Sequence, residues 1–187
     1  AWLALAAQGE RADVVVNVQG DEPESAPSDL AKVVAAFAPG VEIATLAAPI
    51  ASLEEFLDPN VVKVVTAHDA AALYFSRAPI PWPRDVFAQP TLSQREIRPL
   101  PEGLPALRHI GIYAYRASFL RAYGQLAPAP IEQFEALEQL RALYHGYKIG
   151  VFITRQTPPG GVDTEQDLHT ARESFQERNG IRDNGHG

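Results

Sequence analysis

Two aspartates far apart in the chain carry the strongest chemical signal. Asp21 ends the stretch Asp13-Val14-Val15-Val16-Asn17-Val18-Gln19-Gly20-Asp21, and Asp163 sits within Gly160-Gly161-Val162-Asp163-Thr164. Each follows a strand-like run, and open α/β sheets bind ligands beyond the carboxyl ends of their strands. Two carboxylates meeting there would suit a hard divalent cation. Magnesium takes one or two carboxylates and completes its shell with water and substrate phosphate oxygens. Taken singly, either aspartate is equally well a turn former or a helix cap, and spacing alone does not bring the two together.

Other polar residues fall at suggestive places. Arg108 to Arg116 alternates, with His109, Gly111, Tyr113 and Tyr115 on one face. Gly111 removes bulk between hydrogen-bonding side chains, which suits a small polar ligand; an edge strand with a half-exposed aromatic face gives the same pattern. Residues four apart on a regular strand lie about 13 Å from each other. His109 and Tyr113 therefore reach one small ligand only if the strand bends at Gly111 or Tyr113 leans inward. Glu138 and Gln139 flank the apolar stripe of an expected helix, where Glu138 and Arg141 also make an ordinary intrahelical pair. Six arginines (Arg77, Arg84, Arg95, Arg98, Arg108 and Arg116) outnumber Asp85, Glu96 and Glu102 in the same stretch. That excess either balances an acidic surface or marks where a small anion docks, because a guanidinium grips carboxylate and phosphate in pairs. No glycine-rich phosphate loop, Ser-His-Asp order or zinc signature occurs.

The elements that must position these groups follow from periodicity. Residues 2–8 read as a helix and 13–18 as a buried strand, being a β-branched run. A helix is expected over 28–37, closed by Pro39-Gly40, then a strand over 41–46 and a short helix over 52–57 that Asp58-Pro59-Asn60 stops. Residues 61–66 and 71–76 form a hairpin turned at His68-Asp69. Residues 77–105 hold seven of the sixteen prolines and no clear period, the texture of an inserted arm, lid or interface. A strand follows over 108–116, then a helix near 117–125. A longer helix is predicted over 131–145, with Ile131, Phe134, Leu137, Leu140 and Tyr144 in one apolar stripe. A strand at 148–154 precedes a helix that Thr164 can cap, running to about 175. The expectation is one α/β domain over 1–175, with a mostly parallel sheet and flanking helices, and a disordered tail at 176–187.

Composition narrows the class. A chain of 187 residues at 46% hydrophobic can bury a real core. Without cysteine it has neither disulfides nor a thiolate site, and a net charge of −7 disfavours a nucleic-acid partner. No apolar run approaches a membrane span and no signal peptide is evident, so a soluble, intracellular protein is expected. Methionine is absent even at position 1, and Ala1-Trp2-Leu3 reads as mid-helix, which suggests N-terminal truncation.

Six blocks in order, VVVNVQGDEP, DPNVVKVV, ALYFSRAPIPWPRD, LRHIGIYAYR, LEQLRALYHGYKI and GVDTEQDL, resemble the 3-deoxy-manno-octulosonate cytidylyltransferases, or CMP-Kdo synthetases. The resemblance runs from about Asp13 to Leu168. It implies a Rossmann-like nucleotidyltransferase fold, a homodimer, and the reaction of CTP with Kdo to give CMP-Kdo and pyrophosphate. The product would serve lipopolysaccharide synthesis in the cytoplasm. Carried over by position, Asp21 and Asp163 would hold Mg²⁺ and Gln19 would contact the nucleotide. Arg77 and Arg84 would approach the Kdo carboxylate and hydroxyls, and His109, Tyr113, Glu138 and Gln139 would complete the sugar pocket. The family's opening strand and phosphate-wrapping loop, ending in a Leu-Pro-Gly-Lys type motif, has no match here, so the chain alone is not expected to be active. An extra proline precedes Arg84. The rival readings are a sialic acid cytidylyltransferase and a non-catalytic, dimerising remnant.

Overall fold

The computed structural model describes residues 12–18, 27–87 and 100–154, together with residues 169 and 172. The predicted helix at 2–8 and the tail at 176–187 lie outside the described residues, as does the helix predicted from Thr164 except for residues 169 and 172, which are helical.

The sheet is organised around its longest strand, β5 (Leu107–Arg116). One flank of β5 is taken along most of its length by β2 (Val41–Pro49). Its other flank is shared: β3 (Lys63–Thr66) pairs with Leu107 and Arg108, and β1 (Val14–Asn17) pairs with residues 113–116. Outside these lie β4 (Ala72–Ser76) against β3 and β6 (Lys148–Ile153) against β2. The six-stranded sheet thus has the order β4-β3-β5-β2-β6, with β1 beside β5.

The α/β class stands, but the expected mostly parallel sheet is mixed. Only β2 and β6 pair in parallel; the other four pairings are antiparallel. The reason is the placement of β5. Since β1, β2 and β3 each oppose β5 and β6 follows β2, four strands run one way. The reversed β5 inserted among them makes their ladders antiparallel. The alternation of strands and helices along a chain does not reveal such an insertion.

Helices cover both faces. On one, α1 (Pro27–Ala35) lays Val33 and Leu30 on Ala44, Leu46 and Ala48 of β2 and Ile110, Ile112 and Ala114 of β5. The approach is close: a Cβ added to Gly150 of β6 would stand 2.4 Å from the Ala36 carbonyl oxygen, so only glycine fits. On the other face, Phe119 of α4 (Ala117–Tyr123) and Leu140 and Ala142 of α6 (Gln139–Tyr144) pack on Ile43, Val64, Phe75, Tyr113 and Val151. Each large apolar side chain fully buried in this way contributes about 1.5–3 kcal/mol against remaining in water. Between β2 and β3, α2 (Leu53–Leu57) starts at Ser52, whose hydroxyl accepts from the Glu55 N–H at 3.1 Å.

The single helix predicted over 131–145 is two. α5 (Pro130–Glu135) ends at Ala136, which takes φ 51 and ψ 50, and α6 begins three residues later. Phe134, placed in the apolar stripe by periodicity, is 92% exposed. The break has a tertiary cause. The Arg77 guanidinium takes the carbonyl of Glu135 at 2.8 Å and reaches that of Ala136 at 3.5 Å, drawing away acceptors that a continuous helix would use. The arm at 77–105 is anchored at its described ends. Within it α3 (Arg84–Phe87) puts Phe87 against Trp82 and Phe56, and Phe56 joins Ile50, Ala106, Leu100 and Leu104 in a satellite core.

Candidate functional site: a polar pocket on β5

The register of β5 against β2 breaks once. Thr45 pairs with Tyr113, but its neighbour Leu46 pairs with Ile110, so Gly111 and Ile112 are extra residues bulged out of β5. The bulge shortens the path between His109 and Tyr113, whose rings lie 5.1 Å apart rather than a full four-residue span. The bend that a shared ligand requires is therefore present at Gly111.

The side chains packed around these two rings are aromatic. Phe75 meets the His109 ring edge-on at 5.2 Å, Tyr115 stacks on Tyr113 at 5.7 Å, and Phe119 follows at 6.2 Å. The Tyr113 hydroxyl is buried and has no hydrogen-bond partner among the described residues. A buried hydroxyl left unpaired costs about 1–3 kcal/mol, so this atom is suited to meet a ligand. Burial above all, helped by Tyr115 and by the charge of Glu138, pushes the Tyr113 phenol well above its ordinary range, and it stays protonated. Burial, with a smaller contribution from the Arg108 charge, pushes His109 down to about 3, and it stays neutral. The Thr45 hydroxyl, 2.9 Å from Nε2 of His109, ties that ring to the sheet.

Glu138 caps α6 beside the tyrosines. Its carbonyl accepts from the Tyr123 hydroxyl at 3.1 Å, while no described residue bonds its carboxylate. The pairing of Arg141 with Glu138 does not form. Arg141 instead grips both carboxylate oxygens of Glu132 and lies over the Tyr123 ring, and its bonding holds the Glu132 carboxyl below the usual carboxylate range. Gln139, next in sequence to Glu138, is half-buried at the start of α6.

The two arm arginines differ. Every donor of Arg77 with a bond serves the fold: its N–H donates to Glu135 Oε2 at 2.8 Å, and its guanidinium to the carbonyls of Glu135, Ala136 and Pro59. Three of the five guanidinium N–H donors are used in this way, which leaves one hydrogen on each of Nη1 and Nη2 for a ligand. Arg84, with an 81% exposed side chain, bonds through its guanidinium only to Asp85 among the described residues, at 2.8 Å, and can swing towards a ligand.

Asp21, Gln19 and Asp163 lie outside the described residues. The strands that lead to them bear on their meeting. Asn17, the last residue of β1, lies on one cross-sheet row with Tyr113, Thr45 and Val151. β1 and β6 run in the same direction, so both leave the sheet over one edge, three strand spacings or about 14 Å apart. His109, opposite Ala47 and so level with Ile153, faces the same edge. Among the described residues no group of three or more histidines, aspartates and glutamates could hold a metal ion. Asp21 and Asp163 are by residue type a donor set that fits magnesium.

Two residues of this region escaped sequence reasoning. Thr45 had a signal, being the one hydroxyl in an otherwise apolar run from Ile43 to Ala48. Glu135 had none; its role as acceptor for Ser76 and Arg77 depends on contacts between residues about sixty apart.

Comparison with known proteins agrees with this architecture. A 3-deoxy-manno-octulosonate cytidylyltransferase from Nitrosococcus oceani is 51% identical over 170 residues, which are 89% of this chain and 64% of the relative. The chain thus spans somewhat under two thirds of that relative's length. A solved structure of CMP:2-keto-3-deoxy-manno-octonic acid synthetase in complex with CTP superposes with a TM-score of 0.79 at 36% identity. The match covers 94% of this chain and 67% of that one. A family model for cytidylyltransferases matches residues 3–149, more than half of the sequence, and the chain belongs to the cytidylyltransferase family.

Proposed function

We propose that this chain carries the sugar-binding part, and the metal-binding aspartates, of an enzyme that joins CTP and Kdo into CMP-Kdo with release of pyrophosphate. The observation that carries the reading is the 51% identity over 170 residues to a relative of that name. The pocket chemistry supports it. A neutral imidazole, and a phenol and a carboxylate that no described residue bonds, supply the acceptors and donor that a polyhydroxylated sugar needs. The anomeric hydroxyl of the sugar must displace pyrophosphate at the α-phosphorus of a highly charged triphosphate, so positioning and charge neutralisation are the main demands. Asp21 and Asp163 would hold Mg²⁺, which when bound supplies neutralisation of the phosphates and polarisation of the attacking hydroxyl.

In this reading Gln19 contacts the cytidine nucleotide. His109, Tyr113, Glu138 and Gln139 hold the sugar, and Arg84 and Arg77 meet the sugar carboxylate. The product serves lipopolysaccharide synthesis in the cytoplasm. No helix among the described residues is long and apolar enough to cross a membrane. The protein acts as a homodimer, for which the exposed apolar side chains Phe134 and Leu73 offer contact surface.

The test is pyrophosphate release by the full-length protein supplied with CTP, Kdo and magnesium. Asp21→Ala and Asp163→Ala should each abolish it. Near-normal turnover by either variant refutes the metal assignment, and preference for sialic acid over Kdo refutes the substrate.

A further inference from the structure

The Thr45 hydroxyl sits between three partners. Its Oγ1 is 2.9 Å from the Ile112 carbonyl oxygen, 3.2 Å from that of Ile110 and 2.9 Å from Nε2 of His109. A hydroxyl has one proton to donate. Were that proton given to the imidazole, two carbonyl oxygens would face a fully buried threonine oxygen with no proton between them. Lone pairs facing one another at that distance repel, and burial leaves the repulsion little screened. The proton therefore goes to the carbonyls, the shorter contact being to Ile112, and Oγ1 must accept from the imidazole. Nε2 then carries the hydrogen. In a neutral ring the other nitrogen, Nδ1, is left with its lone pair. Nδ1 bonds no described residue.

We propose that Thr45 is a positioning residue that locks His109 as its Nε2–H tautomer, so that Nδ1 is presented to the ligand purely as a hydrogen-bond acceptor for a sugar hydroxyl. The proposal rests on the Kdo reading and deepens it. An acceptor at this point repels a carboxylate, so it assigns His109 to a hydroxyl of the sugar acid and leaves the carboxylate to the arginines. The adjacent Tyr113 hydroxyl supplies a donor from a ring 5.1 Å away, and an acceptor beside a donor suits neighbouring hydroxyls on one sugar face. The device is a consequence of the β5 bulge. Without the extra residues Gly111 and Ile112, Thr45 would not meet two carbonyls of the same strand.

The experiment has two separate readouts on the full-length protein. Nitrogen NMR of the His109 imidazole, without ligand, distinguishes the protonated from the unprotonated ring nitrogen. The unmodified protein and Thr45→Ser should both show a protonated Nε2, and Thr45→Val should lose that preference. A protonated Nδ1 in the unmodified protein overturns the proposal whatever the kinetics, and does so even if Thr45→Val fails to fold. Steady-state kinetics then test the role. Thr45→Val should raise the KM for Kdo about tenfold, the loss of one neutral hydrogen bond, without changing the KM for CTP, and Thr45→Ser should restore it. An unchanged KM for Kdo in Thr45→Val, alongside the expected tautomer, overturns the positioning role while the Kdo reading stands. Absence of any Kdo turnover in the unmodified protein overturns that reading, and the sugar role with it.

Discussion

Replacing Glu135 by alanine isolates the contact that ties the arm to the helical layer. Its carboxylate accepts from the Ser76 hydroxyl at 2.6 Å and from the Arg77 N–H at 2.8 Å; the Tyr74 hydroxyl, at 3.5 Å, adds little. Ser76 is buried, and its oxygen already accepts from the Ala78 N–H, so its proton has no other described partner to turn to. Hydrogen bonds to a charged group contribute about 1.5–3 kcal/mol each. Because Glu135 is half-buried, the lower end applies, and losing two such bonds costs about 3 kcal/mol. For a chain of 187 residues that lowers Tm by about 6–12 °C. Glu135→Gln keeps one acceptor oxygen and loses the charge, so about half that shift is expected. Thermal unfolding followed by circular dichroism at one pH and salt concentration measures both. A shift within about 2 °C for Glu135→Ala would refute the reasoning, since it falls below the effect of a single such bond. Equal losses in the two variants would show that charge, not hydrogen bonding, holds the arm.

Three further outcomes follow from the same structure. Gly150→Ala drives a methyl to 2.4 Å from the Ala36 carbonyl oxygen, a backbone atom that cannot turn aside; it should cost about 1–3 kcal/mol, measured by urea unfolding. Glu138→Ala should leave stability unchanged, because no described residue bonds its carboxylate, yet raise the KM for Kdo in the full-length protein. Since folding depresses His109 from 6.5 to about 3, the unfolded chain binds the extra proton between those values. The stability from keeping this ring neutral is complete above pH 6.5 and lost as pH falls below it. His109→Gln should flatten that slope in unfolding measured from pH 7 to 4, and an unchanged slope refutes the depressed value.

Much of this protein follows from local rules. A strand in the β-branched run at 13–18, the short helix that Asp58-Pro59-Asn60 stops, and the hairpin turned at His68-Asp69 all appear, because turn chemistry and side-chain period act over a few residues. The burial expected of the first strand does not: Val16 and Val18 are 37% and 44% exposed, since β1 lies against only the end of β5. The quoted blocks likewise identified the family, since their residues stand in this sequence whatever their fold. Tertiary contacts decided the rest. Periodicity made residues 131–145 one helix, but Arg77 took its carbonyls and the helix broke at Ala136, leaving Phe134 in solvent. Alternation set His109 and Tyr113 on one face, and only pairing with β2 showed the bulge that brings their rings together. A strand's own residues set which face each side chain takes; which partner it pairs with, in what register and with how many residues bulged out, is chosen by the rest of the chain through burial and hydrogen bonds that no local pattern contains.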